Sequence, residues 1–117
     1  MSTKQQQLFL ALADPTRRLL IEKLSAEGEK TATELARELP FTRQGVSKHL
    51  NIMARANVVQ VRQVGRDRRY TMVPTSLQIA TDWVAAVTEQ WDRRLQALSD
   101  YLAEDNEYQG ENDERDL

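Results

Sequence analysis

Leu8, Phe9 and Leu12 recur at the three-to-four-residue spacing of one helix face, which predicts a first amphipathic helix over about 5–13. Asp14-Pro15 starts a second: the aspartate caps, and proline at the first helical position forfeits an N–H that has no partner anyway. Leu20, Ile21 and Leu24 form its buried stripe, and Gly28 supplies its end or the turn just beyond. Thr31-Ala32-Thr33-Glu34 is a capping box that opens a short third helix, with Leu35, Ala36 and Leu39 inward and Pro40 as its stop. Thr42 caps a fourth helix running to about Ala56. Val46, Leu50 and Met53 fall at i, i+4 and i+7 on its buried face, which leaves Arg43, Gln44, Ser47 and Lys48 on the exposed one. Two short helices joined by a tight turn, the second with a polar front, describe a helix-turn-helix.

The period then changes. Val58-Val59-Gln60-Val61-Arg62-Gln63 is β-branched and partly alternating, Val64-Gly65-Arg66-Asp67 makes a turn, and Arg68 to Val73 returns before Pro74. Gly65 offers the positive φ of a tight hairpin, so the segment reads as a two-stranded wing with a cationic tip. Residues 75–104 form a long helical pattern in which Leu77, Val84, Trp91 and Leu98 repeat every seven residues. Ala80, Val87 and Tyr101 follow three behind, and Leu95 and Leu102 widen the stripe. So long a seam predicts a homodimer, with Val84, Val87, Trp91, Leu95 and Leu98, together with Leu8, Phe9 and Leu12 of the first helix, at the contact. The alternative is a helix that covers its own domain's core, and Trp83 and Trp91, which could suggest a ligand pocket, are read as core residues. The fold expected is mainly α, a winged helix-turn-helix with a β-hairpin wing and a long C-terminal dimerisation helix. One domain spans 1–104, and an acidic, disordered tail spans 105–117.

Composition narrows the chemistry. Cysteine is absent and there is one histidine, which removes disulfides, thiolate metal sites and cysteine nucleophiles and leaves neither a metal nor a cofactor expected. No run of 18 apolar residues occurs and the N-terminal segment lacks the apolar core of a secretory signal, so no membrane partner and a cytoplasmic location are expected. The net charge is −2, but residues 41–70 carry seven basic side chains against Asp67 alone, while residues 99–117 carry eight acidic ones against Arg115. A compact cationic segment suits a polyanionic partner, double-stranded DNA. The remaining carboxylates cluster in the polar tail, where nothing shifts their titration, so no enzyme activity is expected.

This order of elements resembles the ArsR-type winged-helix transcription regulators from about Leu8 to Leu102. The carriers are Ala13-Asp14-Pro15-Thr16-Arg17-Arg18-Leu19-Leu20-Ile21, Thr33-Glu34-Leu35-Ala36, Thr42 through Leu50, and Gly65-Arg66-Asp67-Arg68-Arg69-Tyr70. Trp91-Asp92-Arg93-Arg94-Leu95 with Leu98 and Tyr101-Leu102 is similar to a metal-independent branch. The resemblance implies a homodimeric repressor of a palindromic operator, often the protein's own promoter. The chain departs from the metal sensors of the family, having no cysteines and no histidine near Asp82, Glu89 and Asp92. It also holds Gly45 where such helices commonly hold alanine. Glycine costs about 1 kcal/mol of helix propensity, and either allows close backbone approach to DNA or is a tolerated cost.

Arg43 and Lys48 can donate to guanine edges or phosphate, Gln44 has the bidentate geometry adenine needs, and Ser47 suits a close contact. Thr31 and Thr33 begin the supporting helix, whose free amides can hold a phosphate, with Thr31 primarily a cap, and Thr42 is counted among the DNA-facing residues. Arg66 is nearest the wing apex and the first choice for the minor groove, with Arg68 second. Arg69 either clamps phosphate or pairs with Asp67. His49, beside Lys48, could touch backbone phosphate but is read first as a packing residue. Two other functions stay open: a protein–protein adaptor using the Trp83/Trp91 helix, and a repressor with a small-molecule effector, of unknown identity, at the dimer contact.

Overall fold

The computed structural model describes the backbone of residues 3–116 and the side chains of residues 3–105. The elements are α1 (Thr3–Ala13), α2 (Pro15–Glu27), β1 (Lys30–Thr31), α3 (Ala32–Glu38), α4 (Arg43–Arg55), β2 (Val59–Val64), β3 (Asp67–Met72) and α5 (Ser76–Asp116). They fall into two compact units, one reaching Thr81 and the other starting at Asp82. Among the described residues no helix is long and apolar enough to cross a membrane.

The first unit has one core. Leu8 and Ala11 of α1, Leu20, Ile21 and Leu24 of α2, Leu35 of α3, and Val46, Leu50 and Met53 of α4 pack with Val58, Val59 and Tyr70. Leu77, Ile79 and Ala80, at the start of α5, lie against that cluster. The junction of α1 and α2 shows why Asp14-Pro15-Thr16-Arg17-Arg18 folds as it does. Asp14 Oδ1 accepts from the amides of Thr16 at 2.8 Å and Arg17 at 3.2 Å, two of the orphan donors of α2. Those amides hold the Asp14 carboxyl below the usual carboxylate range. The arginines point backwards and close α1. Arg17 Nε and Nη2 donate to the carbonyls of Ala11 and Leu10 at 2.8 and 2.9 Å, and Arg18 Nη1 donates to Leu12 O at 2.7 Å.

The sheet has three strands and not the expected two. Its order is β1-β3-β2, both pairings antiparallel, with Lys30 opposite Tyr70 and Thr31 opposite Arg69. Two residues are too few to carry an alternating pattern, and Thr31 also caps α3, so β1 had no signature of its own. The wing itself is as read. Val59 faces Met72, Val61 faces Tyr70, and Gly65, at φ +61°, opens a two-residue turn with Arg66.

Two further expectations are corrected, and a third falls outside the described side chains. Leu8 was placed at a partner contact, but it is 1% exposed inside the chain's own core and has no surface left to offer. Trp83 and Trp91 are not core residues: they stand 40% and 57% exposed on α5. An i, i+7 stripe identifies a face and is silent on what covers it. The acidic tail of 105–117 lies, but for Asp105, outside the residues whose side chains are described.

Candidate nucleic-acid interface

Thr42 begins α4 with its backbone extended, and its hydroxyl accepts from the Gly45 amide at 3.0 Å. With Val46, Leu50 and Met53 fully buried, the opposite face of α4 is fixed toward solvent. Flanking the buried stripe, Arg43, Ser47 and Asn51, at i, i+4 and i+8, line one wall of a groove of about 650 Å³. The second wall is α3 with the residue that caps it, contributing Thr31, Thr33, Glu34 and Arg37, and the third is the wing, contributing Arg66, Asp67, Arg68 and Tyr70.

Positive charge dominates this groove. Arg37, Arg43, Arg66 and Arg68 converge on it, against Glu34 and Asp67. Both carboxylates are occupied. Glu34 Oε1 accepts from the Thr31 amide at 3.3 Å while its own amide donates to Thr31 Oγ1 at 3.1 Å. That capping box keeps the Glu34 carboxyl below its ordinary range, with smaller help from Arg69 and Lys30. Asp67 pairs with Arg69 at 3.7 Å. Arg68 lies 5.8 Å from the centre of the Tyr70 ring, a cation–π distance that steadies the guanidinium on the groove wall. Among the described residues none gives Arg37, Arg43 or Arg66 an ion pair.

Of the residues singled out in the sequence, the groove gathers Thr33, Arg43, Ser47, Arg66 and Arg68. Gln44 and Lys48 are exposed on α4 beside the groove and not in its lining, and Thr42 is engaged as a cap. Arg69 is the least exposed of the wing arginines and takes the second of its two expected roles, the pair with Asp67. Arg37 and Asn51 were missed. Asn51 could have been found as the next residue, four on, after Arg43 and Ser47. Arg37 carried no such signal, because only the packing of α3 against the wing brings it to the groove.

The comparisons with known proteins bear on the fold and the family. A helix-turn-helix domain model matches residues 12–62. The HTH-type transcriptional regulator Rv2034 of Mycobacterium tuberculosis is 43% identical over 83 residues, which span 67% of this chain and 77% of the relative. The transcriptional repressor SdpR of Bacillus subtilis is 31% identical over 88 residues, 75% of this chain and 97% of that one. The solved ArsR-like transcriptional regulator from Rhodococcus sp. RHA1 superposes with a TM-score of 0.71 at 33% identity, covering 81% of this chain and 89% of that one. The chain belongs to the ArsR-type family of winged helix-turn-helix transcriptional regulators. It is a DNA-binding protein, and the relatives named above are transcriptional regulators by name.

In this ArsR-type regulator two open points acquire a structural reason. His49 is half-buried on α4 with Nδ1 3.4 Å from Arg17 Nη1, so the guanidinium that closes α1 also touches the recognition helix. A methyl group at Gly45 would stand 3.1 Å from Thr42 Oγ1, closer than an ordinary van der Waals contact. The glycine therefore leaves room for the cap of the recognition helix, a third reason beside the two raised from the sequence.

Proposed function

We infer that this regulator acts as a homodimeric repressor of a palindromic operator, its own promoter included. Each protomer presents α4 to a major groove, and the twofold assembly sets the two recognition helices about 34–36 Å apart, one turn of B-form DNA. Gln44 and Lys48, on the outer face of α4, read base edges, with Arg43 and Ser47 beside them. Thr33, Thr42 and Arg37 face the phosphates, Arg66 enters the minor groove and Arg68 flanks it. The carrying observation is the convergence of Arg37, Arg43, Arg66 and Arg68, from three different elements, on one groove whose two carboxylates are already engaged.

Dimerisation is assigned to the stripe of Val84, Trp91, Leu95 and Leu98, each about half exposed in the single chain, with the less exposed Val87. Phe9 and Leu12 of α1, half-buried, add to it; Leu8 does not. A seven-residue repeat on a helix is self-complementary, which favours a second copy over an unrelated adaptor partner. The supporting experiments are sedimentation of the free protein and footprinting on the region upstream of its own gene. A dimer with a protected inverted repeat is expected; a monomer, or protection without twofold symmetry, contradicts the reading.

A further inference from the structure

Beyond its base, where Val59 and Tyr70 sit in the core, the wing is joined to the body by little backbone. β1 meets β3 at two residue pairs, and β2 lies at the far edge of the sheet with no pairing to β1. Thr31, Arg69 and Arg62 form one cross-strand row, each directly opposite the next, so the two arginines share a face of the sheet. Like charges directly opposite repel, which weakens the hairpin at that row, four residues from Arg66. Glu29, in the turn before β1, resolves it. Its Oε1 and Oε2 accept from Arg62 Nη2 at 2.7 Å and Arg62 Nε at 3.2 Å, a two-pronged pair that reaches past the central strand to the edge strand. Arg62 first, and Arg69 after it, hold the Glu29 carboxyl below its ordinary range.

We propose that Glu29 is a positioning residue for DNA binding: through Arg62 it straps the edge strand of the wing to the helical body and fixes where Arg66 and Arg68 meet the duplex. The inference rests on the DNA-binding reading of the groove. Charge and position make opposite forecasts for Glu29. The carboxylate is a negative group near a cationic site, so on charge alone its removal strengthens binding to every duplex. As a strap, its removal leaves binding to random duplex intact or tighter and weakens binding to the operator, because the arginines lose a fixed pose. The pair is largely open to solvent on the Arg62 side, 66% exposed, so it contributes little to global stability and the two effects are separable from unfolding.

The experiment has two arms. In the first, hydrogen exchange is followed in the free protein, wild type against Glu29→Gln. Faster exchange in β2 and β3 with α4 unchanged supports the strap; unchanged exchange in the wing overturns it, whatever the DNA results. In the second, a duplex selected by the wild-type protein from a random library is titrated alongside an unselected duplex. The ratio of the two affinities falls by about twofold to tenfold in Glu29→Gln, the scale of lost pre-organisation. The charge-swapped pair Glu29→Arg with Arg62→Glu, whose net charge equals that of the wild type, restores it. A ratio equal to or above that of the wild type in Glu29→Gln, or no recovery in the swap, overturns the proposal. A wild-type protein that selects no duplex at all counts against the DNA-binding reading instead, and the exchange arm still decides the strap.

Discussion

Gly45 sits third in the recognition helix, and its amide donates to the Thr42 hydroxyl that an added methyl group would crowd at 3.1 Å. Alanine there gains about 1 kcal/mol of helix propensity. The cap it disturbs is worth about as much. Gly45→Ala is therefore expected to gain clearly more stability in a Thr42→Ala background than in the wild type, measured by urea unfolding as a double-mutant cycle. Equal gains in both backgrounds would show that the cap tolerates the methyl group. Among the DNA-facing groups, Arg66→Ala is expected to reduce the slope of log K against log salt by about 1 per protomer. Gln44→Ala relaxes base preference by about 1–3 kcal/mol at one position of each half-site, read from affinities for single-base operator variants. Thr31, Asp14 and Thr42 were legible as caps because a cap is a local event within three residues. Arg37 was not, since its place depends on a wing 30 residues further on.

At the level of helices and strands, the carboxylates give the unit a shared pH response. Asp14 is held low chiefly by the Arg17 amide, Glu34 by the Thr31 amide, Glu27 by Lys23 and Glu29 by Arg62. Each has a folded value below its unfolded one, so near pH 4 the unfolded chain binds more protons. The stability these groups contribute is then complete above the unfolded carboxylate range and lost as pH falls from about 5 through the depressed values. Thermal melts between pH 7 and pH 2.5 are expected to show a flat plateau followed by a steep fall; a melting point that rises on acidification contradicts these assignments. The helices were legible because apolar residues at period 3.6 mark a buried face directly. β1 escaped because a two-residue strand exists only through its partner, and its hydrogen bonds to β3 are invisible in a linear pattern.

For the whole molecule the chain left one question that periodicity could not decide, whether the C-terminal stripe meets the domain's own core or another copy. The structure leaves Val84, Trp91, Leu95 and Leu98 about half exposed while Leu8 is sealed inside. The two classes of substitution should therefore part ways. Leu8→Ala costs about 2–5 kcal/mol of folding stability. Leu95→Arg leaves the first unit folded by circular dichroism and shifts sedimentation to the monomer, with loss of operator affinity. A Leu95→Arg protein that remains dimeric removes the stripe from the assembly. The most direct test of the cationic groove is a salt series on the wild-type protein and a duplex it has selected. With Arg37, Arg43, Arg66 and Arg68 engaged in both protomers, log K should fall linearly with log salt at a slope of about −5 to −7. A slope near zero, or no saturable complex at low ionic strength, would contradict it.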